Sequence, residues 1–318
     1  MTVSNKTWVQ RVAVVGTGVI GASWAAYFLS RGLDVAATDP TPKGKEALYN
    51  MLDRVWPHLA AVGLAPGAST DRLTFTNDLA EALEGAEWVQ ESGPERIDLK
   101  RELFADMDRL TPAHVIIATS SSGLFMSEIQ ANCKAPQRCL TGHPLNPPHL
   151  IPAVEVVGGK LTSKEAIALA MSFYEHIGKR PIQLLKEVNG HVSNRLQAAL
   201  WRECVFLVST GVISVADIDE VMCWGLGPRW AVMGPNLLFH LGGGEGGLDR
   251  FIEHLGVPFS AWWNDLGKPE LTPEVRSMLV AGVQEEIQGS SIEELDARRD
   301  RMLTAVLGVP GRIDNSPR

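Results

Sequence analysis

Two groups of residues have the types and spacing to do chemistry. The first is Gly16-Thr17-Gly18-Val19-Ile20-Gly21, a G-x-G-x-x-G directly after the apolar run Val12–Val15 and at the opening of a helix-forming segment. There the first glycine permits a tight turn, the second lets the backbone approach a pyrophosphate, and the third allows close packing of helix on strand. The free N–H groups of the helix start then face the phosphates. Asp39 stands 18 residues beyond Gly21, at the end of a second apolar run, 35–38. A carboxylate there accepts hydrogen bonds from a ribose and repels a 2′-phosphate. Pro40-Thr41-Pro42 follow without an arginine, and Lys43 is the nearest cation. The expected cofactor is NAD, held by Gly16, Gly18, Val19, Ile20, Gly21 and Asp39.

The second group is His143-Pro144-Leu145-Asn146-Pro147-Pro148-His149 with Glu155 downstream. Three prolines within five residues fix this turn and remove backbone donors. His143 closes a predicted strand, the carboxyl-end position at which open α/β sheets bind ligands. Glu155 lies inside the apolar strand 153–157, where a carboxylate is costly unless paired. An imidazole is the fitting partner, and a paired histidine near neutral pKa is a general acid or base. His149 reads as a loop residue.

These groups need a scaffold. Runs at 12–15, 35–38, 88–90, 115–118, 138–142 and 153–157 read as strands, separated by helical stretches at 22–31, 99–110 and 164–176. Strands alternating with helices make βαβ units and a parallel sheet covered on both faces. After about Glu187 the pattern changes. Leu196, Ala199, Leu200, Cys204, Leu207 and Val208 recur with the helical period, giving an amphipathic helix over 194–210. Further helices are expected at 215–221, 274–288 and 292–307, and disorder after Gly311. The expected architecture is α/β, a Rossmann-type doubly wound and mostly parallel sheet over 1–187, followed by an all-α domain over 188–318 that binds substrate and dimerises.

The phrases GTGVIG, PERIDLK, HPLNPPHLIPAVEVVGG and GHVSNRL resemble the 3-hydroxyacyl-CoA dehydrogenase superfamily, closely over residues 10–235 and more loosely beyond. The resemblance implies NAD-dependent, reversible oxidation of an L-3-hydroxyl group. It makes His143 the general base and Glu155 its orienting partner. Ser122 matches the serine that bonds the reacting oxygen, and Asn194 the asparagine at the domain junction. Glu91 and Lys100 match cofactor-proximal positions. The second half resembles the branch containing the L-carnitine and L-gulonate 3-dehydrogenases, through Gly227-Pro228-Arg229-Trp230-Ala231 and Gly242–Gly247. Arg229 is a candidate carboxylate clamp. Trp230, with Trp224, Trp262 and Trp263, is a candidate face for a quaternary ammonium.

Composition narrows the rest. Among 318 residues, 29 Lys and Arg against 37 Asp and Glu leave a net charge of −8, and no cationic run offers a nucleic-acid footprint. Cys133, Cys139, Cys204 and Cys223 show no metal-type spacing, so neither a metal nor a disulfide framework is expected. Met1–Arg11 lacks a signal-peptide core, and no apolar run is long enough for a membrane span. The expectation is a cytoplasmic homodimer acting on a small 3-hydroxy acid, carnitine-like in the first instance. Residues 55–71 carry no lysine or arginine to hold the nucleotide of CoA. Three alternatives stay open: a 3-hydroxyacyl-CoA dehydrogenase, an L-gulonate 3-dehydrogenase, and a crystallin-like NAD-binding structural protein.

Overall fold

The computed structural model describes residues 9–309. The reading of the tail after Gly311 and most of that of Met1–Arg11 lie outside those residues. Eight strands form one sheet: β1 (Arg11–Val15), β2 (Asp34–Thr38), β3 (Leu73–Thr76), β4 (Trp88–Glu91), β5 (Ile116–Thr119), β6 (Cys139–Pro144), β7 (Ala153–Gly158) and β8 (Arg180–Gln183). Their order is β3-β2-β1-β4-β5-β6-β7-β8. All neighbours are parallel except β6 and β7. The first unit's helices are α1 (Val19–Ser30), α2 (Pro42–Val62), α3 (Leu79–Leu83), α4 (Ile97–Leu110), α5 (Met126–Ile129) and α6 (Lys164–His176).

The side-chain period of two in a strand sorts the core. Val12, Val14, Trp88, Leu140, Val154 and Val156 pack with residues of α1, α2 and α6 on one face of the sheet. Ala13, Val15, Val89, Ile117 and Cys139 pack with residues of α3, α4 and α5 on the other. Near-continuous apolar strands are the signature of a sheet buried on both faces, and this is the doubly wound α/β fold that the pattern predicts.

The predicted strands and helices of this half are all present, with ends shifted by at most three residues. Two edge strands are additional. β3, LTFT, is short, alternates apolar residues with threonine and is half-exposed. β8, RPIQ, carries a proline and exposes its last two residues. Neither has an apolar run to announce it, and edge position is what tolerates the proline. α2 holds an internal Pro57 and a buried Gly44, which blur its period.

The chain divides into two compact units. Among the described residues one comprises 9–195 with Asp300–Gly308, and the other includes Leu196–Arg299. Helical structure fills the rest: α7 (Ser193–Ser209), α8 (Val215–Glu220), a π-helical stretch (Val221–Leu226), α9 (Gly227–Val232), α10 (Pro235–Gly242), α11 (Gly247–Asp265), α12 (Pro273–Ile287) and α13 (Ile292–Leu307). The apolar stripe expected along α7 is largely uncovered among the described residues. Only Val205 and Val208 are buried, and Leu196 is 67% exposed.

Candidate active site

The glycine turn follows from steric necessity. Gly16 adopts φ +90°, and a Cβ there would lie 2.8 Å from the Ser92 carbonyl carbon. A Cβ on Gly21 would sit 1.8 Å from the Gly16 carbonyl oxygen. Gly18 faces open space, with nothing within 4 Å of the Cβ position. It is also the N-cap of α1, where no side chain caps the helix and no acid occupies the first turn. Uncapped N–H groups beside an open backbone fit a pyrophosphate. Of the next two residues, Val19 is exposed and Ile20 half-buried. The substitution Gly21→Ala is expected to destabilise the fold by about 1–3 kcal/mol through overpacking and to abolish saturable NADH binding; thermal melts and fluorescence titration read both.

Asp39 is locked in place at the end of β2. Its Oδ2 accepts the Thr17 N–H at 3.0 Å, and its Oδ1 accepts the Thr41 N–H at 2.9 Å and the Thr41 hydroxyl at 2.6 Å. Burial pushes its carboxyl up, but these donors outweigh it and hold the carboxyl below its ordinary range. One sequence signal was missed here: Gly44. A Cβ on it would stand 2.4 Å from the Asp39 Cβ, and its carbonyl accepts the Thr17 hydroxyl at 2.8 Å. Substituting Asp39 with alanine removes a charged acceptor worth about 1.5–3 kcal/mol, so NADH affinity is expected to fall 10- to 100-fold in a calorimetric titration.

The acid/base pair is assembled by register. His143 on β6 lies directly opposite Glu155 on β7 in the one antiparallel ladder. The His143 Nδ1 and Glu155 Oε2 are 2.9 Å apart, and the two residues are 5% and 3% exposed. The start of α7 satisfies the rest of the carboxylate. Its Oε1 accepts the Val192 and Ser193 N–H groups at 3.0 and 2.9 Å, and its Oε2 the Ser193 hydroxyl at 2.7 Å. Burial pushes this carboxyl up; the bonds from His143 and Ser193 overcome that and bring it to about 2. An ionised carboxylate only accepts, so Nδ1 carries the proton and Nε2 is the basic nitrogen. The folded state therefore gains stability from Glu155 above its ordinary value of 4.5, and loses it as pH falls towards about 2. Glu155→Gln is expected to flatten the stability–pH slope across that window in denaturant titrations.

The serine run is resolved by its partners. Ser120 bonds Gln90 and Ser92, and the Ser121 hydroxyl donates to Glu95 Oε1 at 2.6 Å. Ser122 alone of the three is exposed. Its N–H and that of Gly123 also donate to Glu95 Oε1, both at 3.0 Å, and its carbonyl accepts the Asn194 amide at 2.8 Å. Ser122 and Asn194 are thus brought together, with Glu95 as the anchor of their loop. The phrase PERIDLK contains Glu95, yet a mid-loop glutamate has no spacing signal that distinguishes it.

Glu91 and Lys100 are buried and bound to each other. The Lys100 Nζ donates to Glu91 Oε1 and Oε2 at 2.7 and 2.9 Å, and to the Gly93 carbonyl at 3.2 Å. Glu91 also accepts the Thr119 hydroxyl at 2.5 Å and the Gly93 N–H at 2.6 Å. Their side chains therefore grip the Ser92-Gly93 turn against which Gly16 packs.

His149, expected in a loop, is 3% exposed. Its Nδ1 and the Ser23 Oγ are 2.9 Å apart, its N–H donates to the same oxygen, and its Nε2 lies 3.4 Å from Asp300. The peptide Asn146–Pro147 is cis. Lys179, also unforeseen, donates to the Pro148 and Ile151 carbonyls and lies 3.6 Å from the centroid of the Tyr27 ring. Burial pushes its ammonium well below the ordinary lysine value. His143 is thus followed by a loop pinned from α1 and from the start of β8.

Arg229 and Trp230 both lie on α9, exposed within the second unit, as are Trp224, Trp262 and Trp263. Gly242–Gly247 forms the end of α10, a 3₁₀ turn and the start of α11. Among the described residues, no group of His, Cys, Asp and Glu is arranged to hold a metal ion.

The doubly wound sheet, the uncapped glycine turn and Asp39 define a nicotinamide-dinucleotide-binding dehydrogenase fold. The chain belongs to the 3-hydroxyacyl-CoA dehydrogenase family: residues 11–188 match its NAD binding domain and residues 190–273 its C-terminal domain. It is an NAD-dependent dehydrogenase. It is 49% identical over 305 residues to an L-carnitine dehydrogenase of Streptomyces coelicolor, covering 96% of each chain. It is 43% identical to the protein of that name from Pseudomonas aeruginosa, covering 95% of this chain and 94% of that one. Among solved structures, 5-formyl-3-hydroxy-2-methylpyridine 4-carboxylic acid 5-dehydrogenase, an NAD+-dependent dismutase, superposes with a TM-score of 0.80 at 32% identity. It covers 94% of this chain, and 97% of that chain is matched. A 3-hydroxybutyryl-CoA dehydrogenase from Ralstonia eutropha gives 0.63 at 25% identity, with 86% and 94% covered.

Proposed function

We propose that this chain oxidises the 3-hydroxyl of L-carnitine to the ketone with NAD, and that His143 is the base. The observation that carries the reading is the His143–Glu155 pair, set by strand register and completed by the α7 N-terminus. High identity to L-carnitine dehydrogenases across nearly the whole chain supports the substrate.

NAD, when bound on the Gly16–Gly21 turn and Asp39, supplies the hydride acceptor. The protein's part is to hold and move a proton. The bare Nε2 of His143 takes the hydroxyl proton as the carbon–oxygen bond gains double-bond character, and Glu155 stabilises the resulting imidazolium. The Ser122 hydroxyl and the Asn194 amide orient the same oxygen and polarise the carbonyl in the reverse direction. Glu91 and Lys100 act on the cofactor through the Ser92-Gly93 turn. Arg229 clamps the carboxylate, and Trp230 offers a face to the trimethylammonium group.

In this reading residues 1–187 bind the cofactor, and 188–318 supply substrate contacts and dimerise in the cytoplasm. The second unit leaves Leu196, Trp201, Trp224, Val257 and Trp263 more than half exposed. An apolar groove of about 370 Å³, lined in part by Trp201, Val205, Ile218 and Val283, opens among α7, α8 and α12. A second copy is the simplest cover for such a surface. Among the described residues no helix is long and apolar enough to cross a membrane. Sedimentation at micromolar concentration is expected to give a dimer; a monomer would refute it. The substrate is tested by NADH formation with L-carnitine, L-gulonate and 3-hydroxybutyrate. Turnover led by L-carnitine is expected, and turnover led by either of the others contradicts the assignment.

A further inference from the structure

A second histidine adjoins the acid/base pair. His191 lies in the turn before α7, is 1% exposed, and sits with its ring centroid 5.0 Å from that of His143, tilted by 41°. Its backbone adopts φ +50°, the left-handed region that costs a non-glycine residue energy. Such conformations persist where surrounding structure enforces them, and they cluster at ligand sites.

The ring's hydrogen bonds are uneven. Nε2 lies 3.0 Å from the Ser121 carbonyl oxygen. A carbonyl only accepts, so Nε2 carries the proton. Burial holds the imidazole below its ordinary pKa, with neighbouring His143 acting in the same direction, so the ring is neutral near pH 7. Nδ1 is then a bare acceptor, and among the described residues it has no hydrogen-bond partner. A buried acceptor left unpaired keeps its full desolvation cost. The chain keeps this one beside the base, in the turn that leads into Ser193 and Asn194 at the start of α7.

We propose that His191 is a ligand-binding residue of this site, its Nδ1 accepting a hydrogen bond from an N–H or O–H group of the bound molecules. Two sources have that chemistry. Hydride transfer from the carbon whose hydroxyl meets His143 requires the nicotinamide nearby, and its primary carboxamide presents two N–H donors. The substrate's own hydroxyl, sharing its one proton between His191 Nδ1 and His143 Nε2, is the other donor. The inference rests on the reading of His143 as the base, but its first test needs no turnover.

The experiment compares His191→Gln with His191→Asn. Glutamine places its amide near the Nε2 position and keeps a donor for Ser121; asparagine tolerates the left-handed backbone and places an acceptor near the Nδ1 position. The probes are NADH and the reduced 3-acetylpyridine analogue, whose acetyl group replaces the carboxamide and has no N–H. If the carboxamide is the donor, His191→Gln weakens NADH binding about tenfold. It leaves analogue binding unchanged, and His191→Asn restores the affinity. If the substrate hydroxyl is the donor, NADH binding is unchanged. Then kcat/KM for L-carnitine falls about tenfold in His191→Gln and recovers in His191→Asn. Wild-type behaviour of His191→Gln in both arms overturns the proposal, as does an equal loss in the two variants with both probes. A chain inactive on L-carnitine that still discriminates between the cofactor probes refutes the substrate reading and leaves this one standing.

Discussion

Replacing His143 with glutamine is expected to lower kcat for L-carnitine oxidation by about 10²- to 10⁴-fold while NADH binding stays within twofold. The separation follows from geometry. The dinucleotide turn and Asp39 lie at the carboxyl ends of β1 and β2, whereas His143 stands at the end of β6, three places along from β1 in the sheet. Glutamine fits the volume, and Glu155 keeps its bonds from Val192 and Ser193, so the α7 N-terminus keeps its anchor, but the amide takes up no proton near neutral pH. A fall in kcat with KM little changed is the signature of a group acting in the transition state. Equal loss of cofactor binding would mean that His143 is structural instead.

The second large effect is on stability. Glu91→Ala is expected to cost about 3–5 kcal/mol, because it leaves the Lys100 ammonium buried without its anion. For a chain of this size that is a fall in Tm of roughly 5–8 °C. Both groups are at most 1% exposed, and Glu91 accepts four hydrogen bonds from Lys100, Thr119 and Gly93. The loss reaches function through the Ser92-Gly93 turn, which packs against Gly16, so NADH affinity falls as well. The double variant Glu91→Gln with Lys100→Met removes both charges and is expected to recover most of the lost stability. If the double variant is as unstable as the single one, the pair matters for packing and not for charge.

The parts legible in the sequence are those where one residue type has one physical use. Gly16 and Gly21 are confined by backbone carbonyls. Glu155 in an apolar strand needed a cation-capable partner, and His143 proved to be its cross-strand neighbour. The less legible parts depend on contacts distant in sequence. Lys179 follows a turn glycine, as a surface lysine does, but carbonyls from the cis-proline loop and the Tyr27 ring enclose it. Glu95 organises three N–H and O–H donors from the serine loop 26 to 28 residues away. His191 sits in the quoted phrase GHVSNRL, yet its orphan Nδ1 exists only once Ser121 has fixed its tautomer. The stripe on α7 was correctly periodic, but periodicity does not say whether the same chain or another covers it.

The absence of cations from residues 55–71 has a structural counterpart. The last two turns of α2 offer no lysine or arginine to a nucleotide tail, and the cations of that helix are Lys43, Lys45 and Arg54. The reading of a small free acid over an acyl-CoA turns on this difference. Its most direct test is the ratio of kcat/KM for L-carnitine to that for 3-hydroxybutyryl-CoA, measured by NADH formation with the wild-type chain. A ratio well above one is expected, with both activities lost in His143→Gln. A ratio below one would contradict it.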